Sequence, residues 1–163
     1  VQSKGTIEDF DPTGRTWQVD FANCMIGGGV LGRGAVQEEI RFVLSPELIV
    51  SRLLTEELGP REAMLIVGTE RFSNCTGYAS SFQFAGDHVD RAETDASGNF
   101  LTTVIAMDAI FFYRGEYLQQ FRTEALRREL DKAFCAFAVK GDHRLRGQSP
   151  DHQDTAAVAT GNW

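Results

Sequence analysis

Basic residues are outnumbered in this 163-residue sequence, with 16 Lys and Arg against 23 Asp and Glu and a net charge of −7. That balance argues against a broad basic surface that tracks nucleic acid by neutralising phosphates, so no direct sequence-specific nucleic-acid binding is expected. Anionic ligands stay open, because backbone amides bind phosphate where cationic side chains are scarce. Long apolar runs are also missing. None approaches the roughly 18 residues of a membrane span, and the stretch from Val1 to Phe10 has no signal-peptide core. No membrane association is expected. Cysteine is sparse and odd in number: Cys24, Cys75 and Cys135 form no C-x-x-C pair and share no ligand spacing with His88, His143 or His152. No metal site and no cofactor are expected, and reduced thiols point to the cytosol or nucleus. Cys135, on an apolar helix face, reads as core.

Hydrophobic residues at 42% and charged residues at 24% describe an ordinary globular chain of one-domain size. Thr16 to Phe21 alternates like a short strand feeding a glycine loop, Gly27 to Gly34. Helical spacing begins near Ala35, with Val36, Ile40, Phe42 and Val43 on one side. Ser45-Pro46-Glu47 then reads as the capped start of a second helix through about Glu57. Ala63 to Gly68 reads as a buried strand, Arg71 to Phe84 as an irregular segment containing strand, and Ala85 to Asn99 as an exposed loop. Leu101 to Tyr113 is a long β-rich run. Asp108 inside it is read as structural, paired with a buried donor or a cation. Phe121 to Ala138 is the clearest amphipathic helix, with Leu126, Leu130, Ala133, Phe134 and Phe137 as its apolar face opposite Arg127, Glu129 and Lys132. A charged loop from Gly141 to Asp154 and a last strand, Ala156 to Ala159, complete the pattern. Strands separated by helices give a three-layer α/β fold.

Gly27-x-Gly29-x-x-Gly32, after a strand and before a helix, fits the dinucleotide-binding pattern only weakly. The acid expected about 20 residues on, at the end of a second strand, is absent because Ser51 to Glu57 reads as helix. A nicotinamide-dinucleotide enzyme therefore ranks low. The physical content survives: flexible glycines and a helix start bring backbone N–H groups to a diphosphate. Seven residues after Gly29 come Gln37, Glu38 and Glu39. Their bland reading is a solvated first helical turn favoured by the macrodipole. Neighbours on a helix project about 100° apart, so the two acids are not expected to face one bond together. One can transfer a proton if its pKa is raised, while the other holds a hydroxyl.

Val19-Asp20-Phe21-Ala22-Asn23, then Gly27-Gly28-Gly29, seven residues and Gln37-Glu38-Glu39, resembles the signature of the poly(ADP-ribose) glycohydrolase family. Gly5-Thr6-Ile7-Glu8-Asp9, Thr76-Gly77-Tyr78-Ala79, Ile105-Ala106-Met107-Asp108-Ala109 and Ala159-Thr160-Gly161-Asn162-Trp163 resemble further family blocks in the same order. The match runs nearly end to end and is most similar to the longer, animal-type enzymes. It implies a macrodomain-like mixed sheet flanked by helices, over residues 1–163 of a partial catalytic domain. The helical accessory region before it, and the second phosphate loop and C-terminal part after it, are expected to be absent from this stretch.

The resemblance also implies roles. Glu39 is expected as the acid/base that cleaves ribose–ribose O-glycosidic bonds and releases ADP-ribose. Glu38 is expected to hold a ribose hydroxyl, Asn23 to fix the ribose beside the cleaved bond, and Asp20 to support the catalytic group. Gly28 and Gly29 match the diphosphate-facing loop, Ile7 and Glu8 the adenine-binding pair, and Tyr78 a tyrosine packed on the nucleotide. Gln37 and Asn162 stand in the same blocks and are placed among the substrate-binding residues. The bland alternatives are loop capping by Asp20, satisfaction of loop backbone groups by Asn23 and core packing by Tyr78; Trp17 reads as core rather than as a stacking platform. The implied partner is poly(ADP-ribose) on modified proteins, in the nucleus or cytoplasm and within the DNA damage response. A module that binds ADP-ribose without turnover is the alternative function.

Overall fold

The computed structural model describes residues 5–10, 14–138 and 156–161. The expected loop from Gly141 to Asp154 and the site residue Asn162 lie outside them. Strand β1 (Thr16–Ala22) carries the chain into the glycine loop, and helix α1 (Gln37–Leu44) follows. A 3-10 turn at Pro46–Leu48 leads into α2 (Ile49–Leu54), so the expected second helix is a tight turn plus a short α-helix. Then come β2 (Met64–Val67), the pair β3 (Ser73–Thr76) and β4 (Gln83–Asp87), β5 (Thr102–Asp108), α3 (Thr123–Phe137) and β6 (Ala157–Ala159).

Among the described residues the main sheet has the order β2-β5-β1-β6. Strands β5 and β6 flank β1 in parallel, while β2 runs antiparallel to β5 at one edge, so the sheet is mixed as expected. The period of two along β1 and β5 sends alternate residues to opposite faces. Ala22, Val104 and Ala106 join Ile26, Phe42 and Leu48 in one core, beneath α1 and the turn before α2. Val19, Ile105 and Met107 join Ala136 of α3 in the other. This is the three-layer α/β arrangement read from the sequence. Trp17 packs on this second core and stacks on Phe137 at 6.3 Å, which is the packing role expected of it.

Two expectations need correction. Ala63 to Gly68 is not a fully buried strand: β2 is an edge strand, half-buried, with Val67 exposed. The buried side of α3 is not its apolar stripe either. Leu126, Leu130 and Phe134 are exposed, whereas Lys132 is fully buried with Ala136. The reason lies across the sheet. Asp108, at the end of β5, is 5% exposed and needs partners. Lys132 Nζ donates to Asp108 Oδ1 at 2.5 Å and to the carbonyls of Gly59 and Glu62 at 2.6 Å, and Arg128 Nη2 donates to Asp108 Oδ2 at 2.5 Å. Positions 128 and 132 are one helical turn apart, so α3 turns that face to the sheet. Asp108 is thus structural and cation-paired, as its apolar surroundings indicate.

Candidate active site

The first turn of α1 ties β1, Glu8 and the glycine loop together through three consecutive side chains. Gln37 Oε1 accepts the N–H of Phe21 at 2.9 Å, and its Nε2 donates to Glu8 Oε1 at 2.8 Å. Glu38 Oε2 accepts the N–H of Asn23 at 2.9 Å and Oε1 that of Gly27 at 2.5 Å. Glu39 Oε1 accepts from Gly29 N at 2.8 Å, while Oε2 reaches back to Val36 N at 2.9 Å. The last contact is the acidic half of a capping box, satisfying a donor that the helix leaves orphaned. All four carboxylate oxygens therefore hold backbone N–H groups of the loop or of the helix start.

The loop glycines make this closure sterically feasible. Gly28 has φ +46°, and a Cβ placed on it would lie 2.6 Å from both Glu38 Oε2 and Glu39 Oε1. These two oxygens are thus within twice that distance of each other. The expectation that adjacent helical acids point apart is overturned. It follows Cα directions and neglects that a glutamate side chain is long enough to curl toward its neighbour. Both are buried, Glu38 at 3% and Glu39 at 7% exposure, so the solvated-turn reading falls as well. Burial pushes the Glu38 carboxyl up to about 7, opposed by the N–H groups of Asn23 and Gly27 and reinforced by the charge of Glu39.

Asp20 points from β1 toward α1. It is fully buried, and neither carboxylate oxygen has a hydrogen-bond partner among the described residues. Burial, and then the charge of Glu38, push its carboxyl well up, while Arg41 pulls the other way. Asp20 thus neither caps the loop nor reaches solvent; it lies beneath the acids. Asn23 is exposed, and its Oδ1 accepts the N–H of Met25 at 2.9 Å. That bond satisfies the loop backbone and leaves the Asn23 NH2 without a partner among the described residues. The Gly28 and Gly29 amides, expected to face a diphosphate, are spent on Met25 O and Glu39. The loop donors without a bond among the described residues are those of Leu31 and Arg33.

Tyr78 is 55% exposed, which removes the core-packing reading. It stands on a forced turn. Gly77 has φ +74°, with Ser81 O 1.9 Å from where a Cβ would sit, and Ala79 has φ +50° without being glycine. The Ala79 N–H donates to Ala35 O at 2.9 Å, joining this turn to the glycine loop. Ile7 and Glu8 are half-buried on the same side as Gln37. The structure thus bonds Glu8 to Gln37, Asn23 to Glu38 and Gly29 to Glu39, packs Gly28 against both acids, and ties the Tyr78 turn to the end of the same loop. An open cleft of about 790 Å³ lies at the C-terminal ends of β1 and β5, bounded by Phe21, Asn23, Cys24, Phe111 and Arg128. This is the end of a parallel sheet where α/β folds take ligands.

Arg52, Arg41 and Arg71 were not legible as site residues. Arg52 Nη1 donates from α2 to Ile26 O at 3.0 Å and Gly28 O at 2.8 Å, holding the loop from below. Its partners lie 26 and 24 residues away, and no local spacing reports that.

A mixed, helix-flanked sheet whose glycine loop is stapled to two buried acids defines a three-layer α/β domain. Over residues 1–163 the sequence matches the family described as "Poly (ADP-ribose) glycohydrolase (PARG), Macro domain fold". The chain belongs to the poly(ADP-ribose) glycohydrolase family. It is similar to poly(ADP-ribose) glycohydrolase 1 of Arabidopsis thaliana, at 45% identity over 84% of this chain and 24% of that protein. It is 36% identical to the probable poly(ADP-ribose) glycohydrolase 2 of the same plant, over the full chain and 36% of that protein. It is also 41% identical to poly(ADP-ribose) glycohydrolase 1 of Caenorhabditis elegans, over 86% of this chain and 20% of that protein. The chain thus spans about a third or less of these relatives.

Proposed function

We propose that the protein containing this chain hydrolyses the ribose–ribose O-glycosidic bonds of poly(ADP-ribose) and releases ADP-ribose. The observation that carries this reading is the convergence of two buried carboxylates on one point above Gly28. In this scheme Glu39 gives its proton to the glycosidic oxygen as the bond to the anomeric carbon breaks. The departing ribose leaves with a hydroxyl, and the carbon becomes oxocarbenium-like. The Glu39 carboxylate then takes a proton from the water that adds there, which restores the acid. Glu38 and Asn23 hold the ribose, and Glu38 keeps a proton in reserve near neutral pH. Asp20, beneath them, supports the pair without touching substrate. Binding spreads outward from this centre: the diphosphate meets the glycine loop at Gly28 and Gly29, with the N–H groups of Leu31 and Arg33 as its free donors. Adenine meets Ile7 and Glu8, Tyr78 packs on the nucleotide, and Gln37 and Asn162 complete the site. The substrate is poly(ADP-ribose) on modified proteins in the nucleus or cytoplasm, as in the DNA damage response. Three free cysteines support a reducing compartment.

A second reading is a module that binds ADP-ribose without turnover. It is favoured by the four carboxylate oxygens all serving as loop staples. Incubating poly(ADP-ribose) with the full-length protein separates the two. Released ADP-ribose supports the hydrolase, whereas calorimetric binding of ADP-ribose with intact polymer supports the module.

A further inference from the structure

Three segments meet behind Glu8. The turn at Ile7 to Asp9 brings the adenine-facing pair, β3 leads directly into Gly77 and Tyr78, and α1 contributes Gln37 with Arg41 one turn below it. The side chain joining the first two is Arg71, which is 11% exposed. Its Nη1 donates to Glu8 O at 2.9 Å and Asp9 Oδ1 at 3.0 Å. Its Nε donates to Ser73 O at 3.0 Å, and Nη2 reaches Asn74 Oδ1 at 3.5 Å. The Arg71 N–H in turn donates to Asp90 Oδ2 at 2.8 Å, so the base of the side chain is fixed too. A planar guanidinium with several fixed donors acts as a rigid spacer, which a lysine does not reproduce.

Glu8 is held from two more directions. Gln37 binds its carboxylate, and behind it lies a polar cavity of about 230 Å³ lined in part by Glu8, Gln18, Arg41, Arg71 and His88. Arg41 is 3% exposed, and its Nε has no hydrogen-bond partner among the described residues. It shares the cavity wall with Glu8 and does not replace the direct contacts of Arg71. On the opposite side, β3 leads through the forced turn at Gly77 to Ala79 into Tyr78.

We infer that Arg71 is a positioning residue for nucleobase selectivity. It fixes the spacing between Glu8 and Tyr78, so that a purine carrying a 6-amino donor is accepted and one carrying a 6-oxo acceptor is rejected. The chemical reason is that a carboxylate at fixed distance pairs with an amine but is left unpaired and repelled by an oxo group. The inference rests on the ADP-ribose site proposed above.

Its test is calorimetric titration of the full-length protein with ADP-ribose and with its 6-oxo analogue. Arg71→Met is expected to weaken ADP-ribose binding about tenfold and to narrow the preference over the analogue. Asp9→Asn, which loosens the same clasp while leaving the guanidinium, is expected to shift the preference the same way by less. Arg71→Lys should recover part of it. An unchanged preference in both Arg71→Met and Asp9→Asn overturns the inference, as does an equal loss for both nucleotides, which marks a purely structural arginine. A wild-type protein that binds neither nucleotide overturns the site itself, and this inference with it.

Discussion

Glu38 and Glu39 share one turn of helix, one loop and one glycine, yet they hold different backbone N–H groups. The pKa of about 7 at Glu38 has a consequence for stability. A carboxyl raised above its ordinary value of 4.5 makes the folded protein hold a proton that the unfolded chain releases. Its protonated form therefore favours the fold below pH 4.5, and that advantage disappears as pH rises to about 7. Thermal unfolding across this window should show the wild type losing stability with rising pH relative to Glu38→Gln. A constant difference between the two would contradict the burial assigned to Glu38. Gly28 gives an independent check. Gly28→Ala forces a side chain onto a positive φ and into both acids, which should cost roughly 1–2 kcal/mol in denaturant melts. Chain shortening should suffer more than stability, because the displaced atoms are the carboxylates. The glycine-acid spacing was legible in the sequence as a family mark. The convergence of the acids was not, because it depends on side-chain torsions rather than on helical phase.

Elements were legible where one residue pattern decided them. The alternation of β1, the glycine run and the start of α1 were read nearly in place. Helix α3 shows the limit. Its extent was clear, but its buried face is set by Asp108, 24 residues from Lys132, and a hydrophobic stripe carries no information about such a partner. This gives a test at the level of the element. Lys132→Met leaves Asp108 buried with Arg128 as its remaining cation, and should destabilise the domain by roughly 3–5 kcal/mol in urea unfolding. Lys132→Met combined with Asp108→Asn should cost less than the two single losses added together, because the charges share one network. Additive losses would show that α3 does not depend on this pair for its orientation. The role of Arg71 was hidden for the same reason as the burial of Lys132, since its contacts to Glu8 and Asp9 cross 63 and 62 positions.

At the scale of the whole molecule, one polar chain of contacts runs from Arg71 to the acids. Arg71 holds Glu8, Gln37 joins Glu8 to β1, and the next two residues of α1 hold the glycine loop. Binding a ligand across that chain should stabilise it throughout. At about 100 times its dissociation constant, ADP-ribose is expected to add about 2.7 kcal/mol, visible as a rise in melting temperature. Fold class and family were readable from the sequence because the blocks that carry them are local and ordered. The hydrolytic role proposed for Glu39 is tested most directly by the rate at which the full-length protein releases ADP-ribose from poly(ADP-ribose), wild type against Glu39→Ala, with ADP-ribose binding measured on both. The expected result is a rate lower by at least about 10²-fold in the variant while ADP-ribose still binds. Equal rates for the two proteins would contradict it.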